Sequence, residues 1–163
     1  ARNILTAQFM KSDKDYLLFI DADVEFEPEC PLRMVVAQKD IVCTPYRVKT
    51  NDPKVLPGGL VELTRGPSGM MLIHRRVFET LQKNRPDLEI QAHQHVDLFP
   101  EGFKIFSFWD CIFKDGKWTG DDIAFCNLAT ENGFKLYANI ESEMVHHGAY
   151  GYKGRFGDGL IKK

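Results

Sequence analysis

With 163 residues, 44% of them hydrophobic and 27% charged, the chain has the length and apolar content to bury a core as one domain without metals or disulfides. Its 21 basic and 23 acidic residues leave a net charge of −2. That excludes the broad positive field that would draw it to nucleic acid or an anionic membrane. Four scattered cysteines, Cys30, Cys43, Cys111 and Cys126, form no C-x-x-C pair and read as reduced thiols rather than a zinc knuckle or redox motif. No apolar run approaches membrane-spanning length, so a soluble chain is expected, with the cytoplasm as the default compartment. The chain opens without methionine directly in a helical pattern, which predicts that upstream sequence has been lost or cut away.

In chain order, Ile4, Leu5, Ala7, Phe9 and Met10 are helix-spaced, and Ser12 to Asp15 break the pattern. Tyr16 to Ile20 is a continuous apolar run, expected as a buried strand of a parallel sheet covered on both faces. Pro31 suits the first turn of a short helix from Leu32 to Gln38. Asp40 to Tyr46 predicts a strand, a polar loop runs through Gly59, and Leu60 to Thr64 alternates like a half-exposed strand. Met70 to Ile73 is an apolar strand leading into a helix from about Arg75 to Gln82. A polar stretch follows from Lys83 to Val96, and the aromatic run FKIFSFWDCIF predicts a strand pair. Helical spacing returns from Gly120 to Asn132, with Gly133 as its stop, and Phe134 to Ile140 is again a strand. The glycine- and lysine-rich tail from Gly148 is expected to be mobile. Strands alternating with helices predict an α/β layered domain spanning residues 1–163.

Three clusters carry chemistry. Asp21-Ala22-Asp23 closes the first apolar strand, and open α/β sheets bind ligands beyond the carboxyl ends of their strands. Two carboxylates facing one cavity repel each other unless a cation intervenes, so D-x-D suggests a divalent metal shared with a diphosphate; the alternative is a solvated acidic turn. Asp121-Asp122 opens the predicted helix at Gly120, where a like-charge pair can furnish a general base or merely complement the helix dipole. His146-His147 stands at a strand end, either as packed histidines or as imidazole ligands to a metal. Lys153 and Arg155 follow, where they can neutralise phosphate.

Taken together, LLFIDADV, GPSGMMLIHRRVF, GDDIAFC and HHG with its glycine-lysine tail resemble the nucleotide-sugar-dependent glycosyltransferases of the GT-A fold, in particular family-2-like and Anp1-like members and the glycosyltransferase domains of large algal viruses. The four ordered blocks cover nearly the whole chain. The resemblance implies a Rossmann-like, mostly parallel mixed sheet flanked by helices. It implies that Asp23 binds Mn²⁺ or Mg²⁺ directly, that Asp21 contacts ribose or the metal through water, and that His146 or, preferably, His147 completes the metal site. Ser68, Gly69 and Met70 match the small-residue block close to the donor sugar. Asp121 or Asp122 is then the base of an inverting reaction, and Trp118 and Trp109 are candidates for stacking on the acceptor, against aromatic core packing as the plainer reading. The pattern departs from the family in reading DD where ED is commoner, and in starting at the helix before the D-x-D strand, so that either the N-terminal base-binding portion is missing from this polypeptide or the domain is a degenerate one.

The implied activity is metal-dependent transfer of a sugar from a UDP- or GDP-sugar to a glycan or other hydroxyl acceptor, with Lys153 or Arg155 closing over the phosphates. Two rivals use the same residues: a metal-dependent phosphoesterase, and a non-catalytic carbohydrate-binding domain.

Overall fold

The computed structural model describes residues 1–46, 55–91, 102–148 and 152–155. Helix α1 (Arg2–Lys11) leads into β1 (Tyr16–Ile20); β2 (Val24–Phe26), α2 (Cys30–Val36) and β3 (Ile41–Cys43) follow. Next come β4 (Val55–Leu56), β5 (Leu60–Leu63), β6 (Met70–His74) and α3 (Arg75–Asn84), then one 3-10 turn, Pro86–Leu88. The hairpin β7 (Ile112–Lys114) and β8 (Lys117–Thr119) precedes α4 (Asp121–Glu131), β9 (Leu136–Asn139), β10 (Glu143–His146) and β11 (Tyr152–Arg155). Among the described residues no helix is long and apolar enough to cross a membrane.

The fold is α/β, but its main sheet is mixed rather than mostly parallel. Six strands lie in the order β1-β6-β3-β9-β5-β4, and β3 against β9 is its one parallel pair. The sequence expectation fails here for a physical reason: a continuous apolar run reports burial of both faces and carries nothing about strand direction. Both faces of β1 are indeed covered, although it is an edge strand of this sheet. Leu17 and Phe19 face a large core with α1, α3 and α4, while Tyr16 and Leu18 face a smaller one with α2 and the second sheet. The same alternation splits β6, with Met71 and Ile73 on one side and Met70 and Leu72 on the other.

The second sheet, β11-β10-β2, is antiparallel throughout and packs Met144, Val24 and Phe26 against the smaller core. Its third strand, β11, comes from the glycine-lysine tail expected to be mobile; there Glu143 to His146 pair with Arg155 to Tyr152. The expected strand pair in FKIFSFWDCIF is displaced. Phe106, Phe108 and Trp109 leave the extended path to stack in the large core, with Phe106 retaining a single bridge to Glu89, and the regular pairing begins at Ile112. Aromatic content signals burial at least as strongly as strand.

Helix α1 is fastened at both ends. Asn3 Oδ1 accepts from the Phe108 and Trp109 amides at 3.0 and 2.9 Å, and its Nδ2 donates to Asp110 at 2.9 Å. At the other end, Arg75 donates to the carbonyls of Phe9, Ser12 and Lys14 and lies over the Phe9 ring, satisfying acceptors that a helix terminus leaves open. These fastenings hold the first residues of α1 beside the carboxyl end of β1.

Under the main sheet, Gly66 exchanges hydrogen bonds with the Cys126 thiol, and a Cβ at Gly66 would stand 2.6 Å from the buried Cys43 sulfur. Gly66→Ala is therefore expected to cost about 1–3 kcal/mol by overpacking, read as a lower denaturation midpoint with an unchanged slope. Burial pushes both thiols up, Cys126 from 9.0 to about 11. The neutral thiols thus belong to the folded state, and unfolded thiols ionise first as pH rises. Stability contributed by these groups is fully present below about pH 9 and is lost as the pH climbs towards about 11, which unfolding curves at about pH 8 and about pH 10.5 will resolve.

Candidate functional site

The site forms where the two sheets meet. The Asp21 amide continues the β1–β6 ladder by donating to Gly69 O at 2.8 Å, and the Val24 amide donates back to Asp21 O at 3.2 Å, so Asp21 to Val24 turn the chain out of one sheet and into the other. β2 then pairs with β10, which sets His146 opposite Val24, and the His147 amide donates to Asp23 O at 2.8 Å.

Alternation along β10 separates the two imidazoles. His146 Nε2 lies 3.3 Å from Asp23 Oδ2, and its ring stacks on Tyr46 at 5.1 Å between centroids. His147 Nε2 instead meets Glu25 Oε2 at 2.9 Å. His146 is thus the imidazole beside the second acid of the D-x-D, whereas the sequence preference rests on His147.

Arg2 joins the other acids. Its Nη2 donates to Asp21 Oδ1 and its Nη1 to Asp121 Oδ2, both at 2.8 Å, so one guanidinium links the D-x-D to the start of α4. The group lies over the Phe19 and Trp109 rings and is only 22% exposed. Its planar fork meets two carboxylates at once, which a lysine cannot reproduce. A Cβ built on Gly69 would stand 3.5 Å from Asp21 Oδ2, so the residue at this position forms a wall with no side chain beside the acid. Ser68, next to it, is buried.

At the start of α4, Asp121 is committed to Arg2 and Asp122 Oδ1 accepts from the Ile123 amide at 2.7 Å. Seen from Gly120, a built Cβ would lie 3.3 Å from Asp122 Oδ1 and 3.4 Å from the far edge of the Trp118 indole. Trp118 is 68% exposed. Trp109 is not available to a ligand: it is 5% exposed, stacks on Phe125 at 3.9 Å and donates from Nε1 to Thr6, so its assignment to acceptor stacking is corrected to core packing. Arg155 reaches Glu27 at 3.4 Å, on a carboxylate already held by Arg33, at the end of β10 away from His146. Arg33 and Arg155 hold the Glu27 carboxyl below its ordinary value. The Lys153 side chain lies outside the described residues, although its backbone pairs with Val145.

Among the described residues, no three His, Cys, Asp or Glu side chains converge to enclose an ion. One carboxylate and one imidazole, both partly open to solvent, remain a chemically suitable partial set for Mn²⁺ or Mg²⁺, which take their other ligands from water and phosphate oxygens.

No family model and no curated protein matches the chain. It is similar to the crystal structure of A197 from STIV at 19% identity and a TM-score of 0.49, over 90% of this chain and 65% of that one. A likeness of that size carries nothing about chemistry.

Sequence reasoning misses Arg2 and Tyr46. Each is unremarked by motif or spacing, and only the packing of α1 and the path of the chain just beyond β3 bring them to the acids and the imidazole. Arg2→Met preserves the stem over Phe19 and Trp109 while removing the shared cation. Because Asp21 and Asp121 are substantially exposed, the expected loss is about 1 kcal/mol, and a double-mutant cycle with Asp21→Asn should return most of it as coupling.

Proposed function

We propose that the chain is a glycosyltransferase domain of GT-A type, transferring a sugar from a nucleotide-diphosphate donor to a hydroxyl acceptor with inversion and with a divalent cation. The observation that carries this reading is the convergence of Asp23 with His146 at the carboxyl end of β1, beside the Asp21–Arg2–Asp121 bridge that leads to α4. Donor and acceptor groups then have separate walls of one site.

Asp23 and His146 would hold Mn²⁺ or Mg²⁺, and when bound the ion supplies positive charge that stabilises the departing diphosphate. Gly69 leaves room for the donor to approach beside Asp21. Arg2 keeps Asp21 and Asp121 in fixed relation, and as a permanent cation it offsets the repulsion between two carboxylates. Asp121 is occupied by that ion pair, which favours Asp122 as the base. Its Oδ1 is oriented by the Ile123 amide, and Oδ2 takes the proton of the acceptor hydroxyl as that oxygen attacks the sugar carbon from the face opposite the leaving group.

Incubation with UDP- and GDP-sugars, Mn²⁺ and saccharide acceptors tests this reading by its products. Nucleoside diphosphate released together with an extended saccharide is expected. Inorganic phosphate without transferred sugar would identify a phosphoesterase instead, and absence of any turnover or nucleotide binding would remove the transferase reading.

A further inference from the structure

Strand β1 forms one edge of the main sheet and β4 the other. A sheet edge exposes unpaired backbone donors and acceptors, and proteins commonly blunt it with a very short strand, a proline, a lysine or a bulge. β4 is only two residues long. β1 uses none of these devices: its five residues, YLLFI, hold neither charge nor proline, and they pair with β6 residue for residue from Tyr16 to Ile20 without a bulge.

The ladder fixes which groups are left over. The Asp21 amide donates to Gly69 O and the Arg75 amide to Asp15 O, so Asp15, Leu17, Phe19 and Asp21 turn their backbone toward β6. Tyr16, Leu18 and Ile20 turn theirs outward. Among the described residues, none of the N–H and C=O groups of these three has a hydrogen-bond partner on the open side, and the Ile20 side chain is 43% exposed.

Those groups select the occupant. Donors and acceptors repeat along the edge about every 6.8 Å, which an extended polypeptide matches group for group and a nucleotide, sugar or lipid does not. The ends of the edge select its charge. Asp15 is exposed at one end, and Asp21 and Asp23 are half-exposed at the other. The nearby cations are already engaged: Lys14 meets Asp13 at 2.7 Å, Arg75 directs its guanidinium to carbonyls at the end of α1, and Arg2 is shared between Asp21 and Asp121. A second copy of the chain is a poor occupant. Pairing two β1 edges about a two-fold axis at Leu18 would set Asp15 of each copy opposite Asp21 of the other, an acid against an acid at both ends. A strand with a basic residue at each end, six positions apart, meets both acids instead. We propose that the open edge of β1 receives an extended segment of another polypeptide as an added strand, basic at both ends and apolar between. The site is independent of the transferase reading.

The heptapeptide Lys-Thr-Val-Ile-Val-Thr-Lys, capped at both termini, reads the same in either direction and serves as the probe. Calorimetry with the whole chain should show saturable binding. Amide hydrogen exchange should slow about tenfold or more at Tyr16, Leu18 and Ile20 and stay unchanged at Leu17 and Phe19, which already bond to β6. Proline in place of the central isoleucine should abolish binding, because it removes a donor and breaks the extended pairing. Glutamate at both ends, or Asp15→Lys in the chain, should weaken it about tenfold. Mn²⁺-dependent UDP or GDP binding should be unchanged in Asp15→Lys, so either reading can fail without the other. No binding of the lysine peptide, equal binding of the proline or glutamate peptide, or binding that leaves the three outward amides unslowed overturns the proposal. Protection of those amides in the chain alone also overturns it, whether the chain sediments as a monomer that fills its own edge or as a dimer.

Discussion

Asp23→Ala is expected to abolish Mn²⁺-dependent binding of nucleoside diphosphate, weakening it by more than about 100-fold, beyond the 10–100-fold typical of groups that only support a ligand. Calorimetric titration of UDP and GDP with and without Mn²⁺ measures it. The size follows from how few groups meet at this point: Asp23 and His146 are the carboxylate and imidazole that converge there, so no third protein ligand among the described residues takes over. Sugar transfer should fall with binding. His147→Ala provides the contrast, since His147 meets Glu25 on the other side of the strand, and its nucleotide affinity should stay within a few-fold of the parent. A variant without Asp23 that still binds nucleotide in a Mn²⁺-dependent way would take the cation away from this turn.

The second large effect falls on Asp122. Asp122→Asn retains shape and can still orient on the Ile123 amide, but its side chain cannot accept the acceptor's proton; turnover should fall by about 10²- to 10⁴-fold with little change in donor KM. Asp121→Asn should behave differently. It weakens the contact with Arg2 while Asp21 keeps its own, so a loss of about tenfold or less is expected. Equal, small losses in the two variants would mean that both acids serve only the helix dipole at the start of α4.

Much of the frame is legible in local pattern. The apolar run Tyr16–Ile20 is the strand β1 and the acids begin where the chain turns out of it, and α4 starts at Asp121 and ends before Gly133, whose φ of 88° suits a helix terminus. What escapes is decided at long range. Arg2 finds Asp21 and Asp121 across 19 and 119 positions of sequence, and no spacing rule encodes that pairing. His146 and His147 are equivalent as letters. Their rings part at the end of β10, His147 to Glu25 and His146 to Asp23, and it is the turn of Asp21 to Val24 out of the β1 ladder that brings Asp23 to His146.

The two tryptophans make the same point about burial. As letters both are candidates for stacking on a sugar, yet Trp109 is locked between Thr6 and Phe125 in the core while Trp118 rides on an exposed hairpin. Strand direction is hidden for a related reason: the side chains of β1 and β6 would alternate between the two cores in either orientation, so their pattern fixes faces and leaves the antiparallel pairing open. The tail likewise reads as loop because Gly154 interrupts it, although β10 supplies a ladder that its backbone can join.

An anomalous-difference map from crystals soaked with Mn²⁺ and UDP or GDP tests the placement of the cation at the mouth of β1 most directly. A single strong peak in contact with Asp23 and His146, bridged to the nucleotide phosphates, is the expected result. A peak elsewhere, or nucleotide bound with neither side chain nearby, would contradict it.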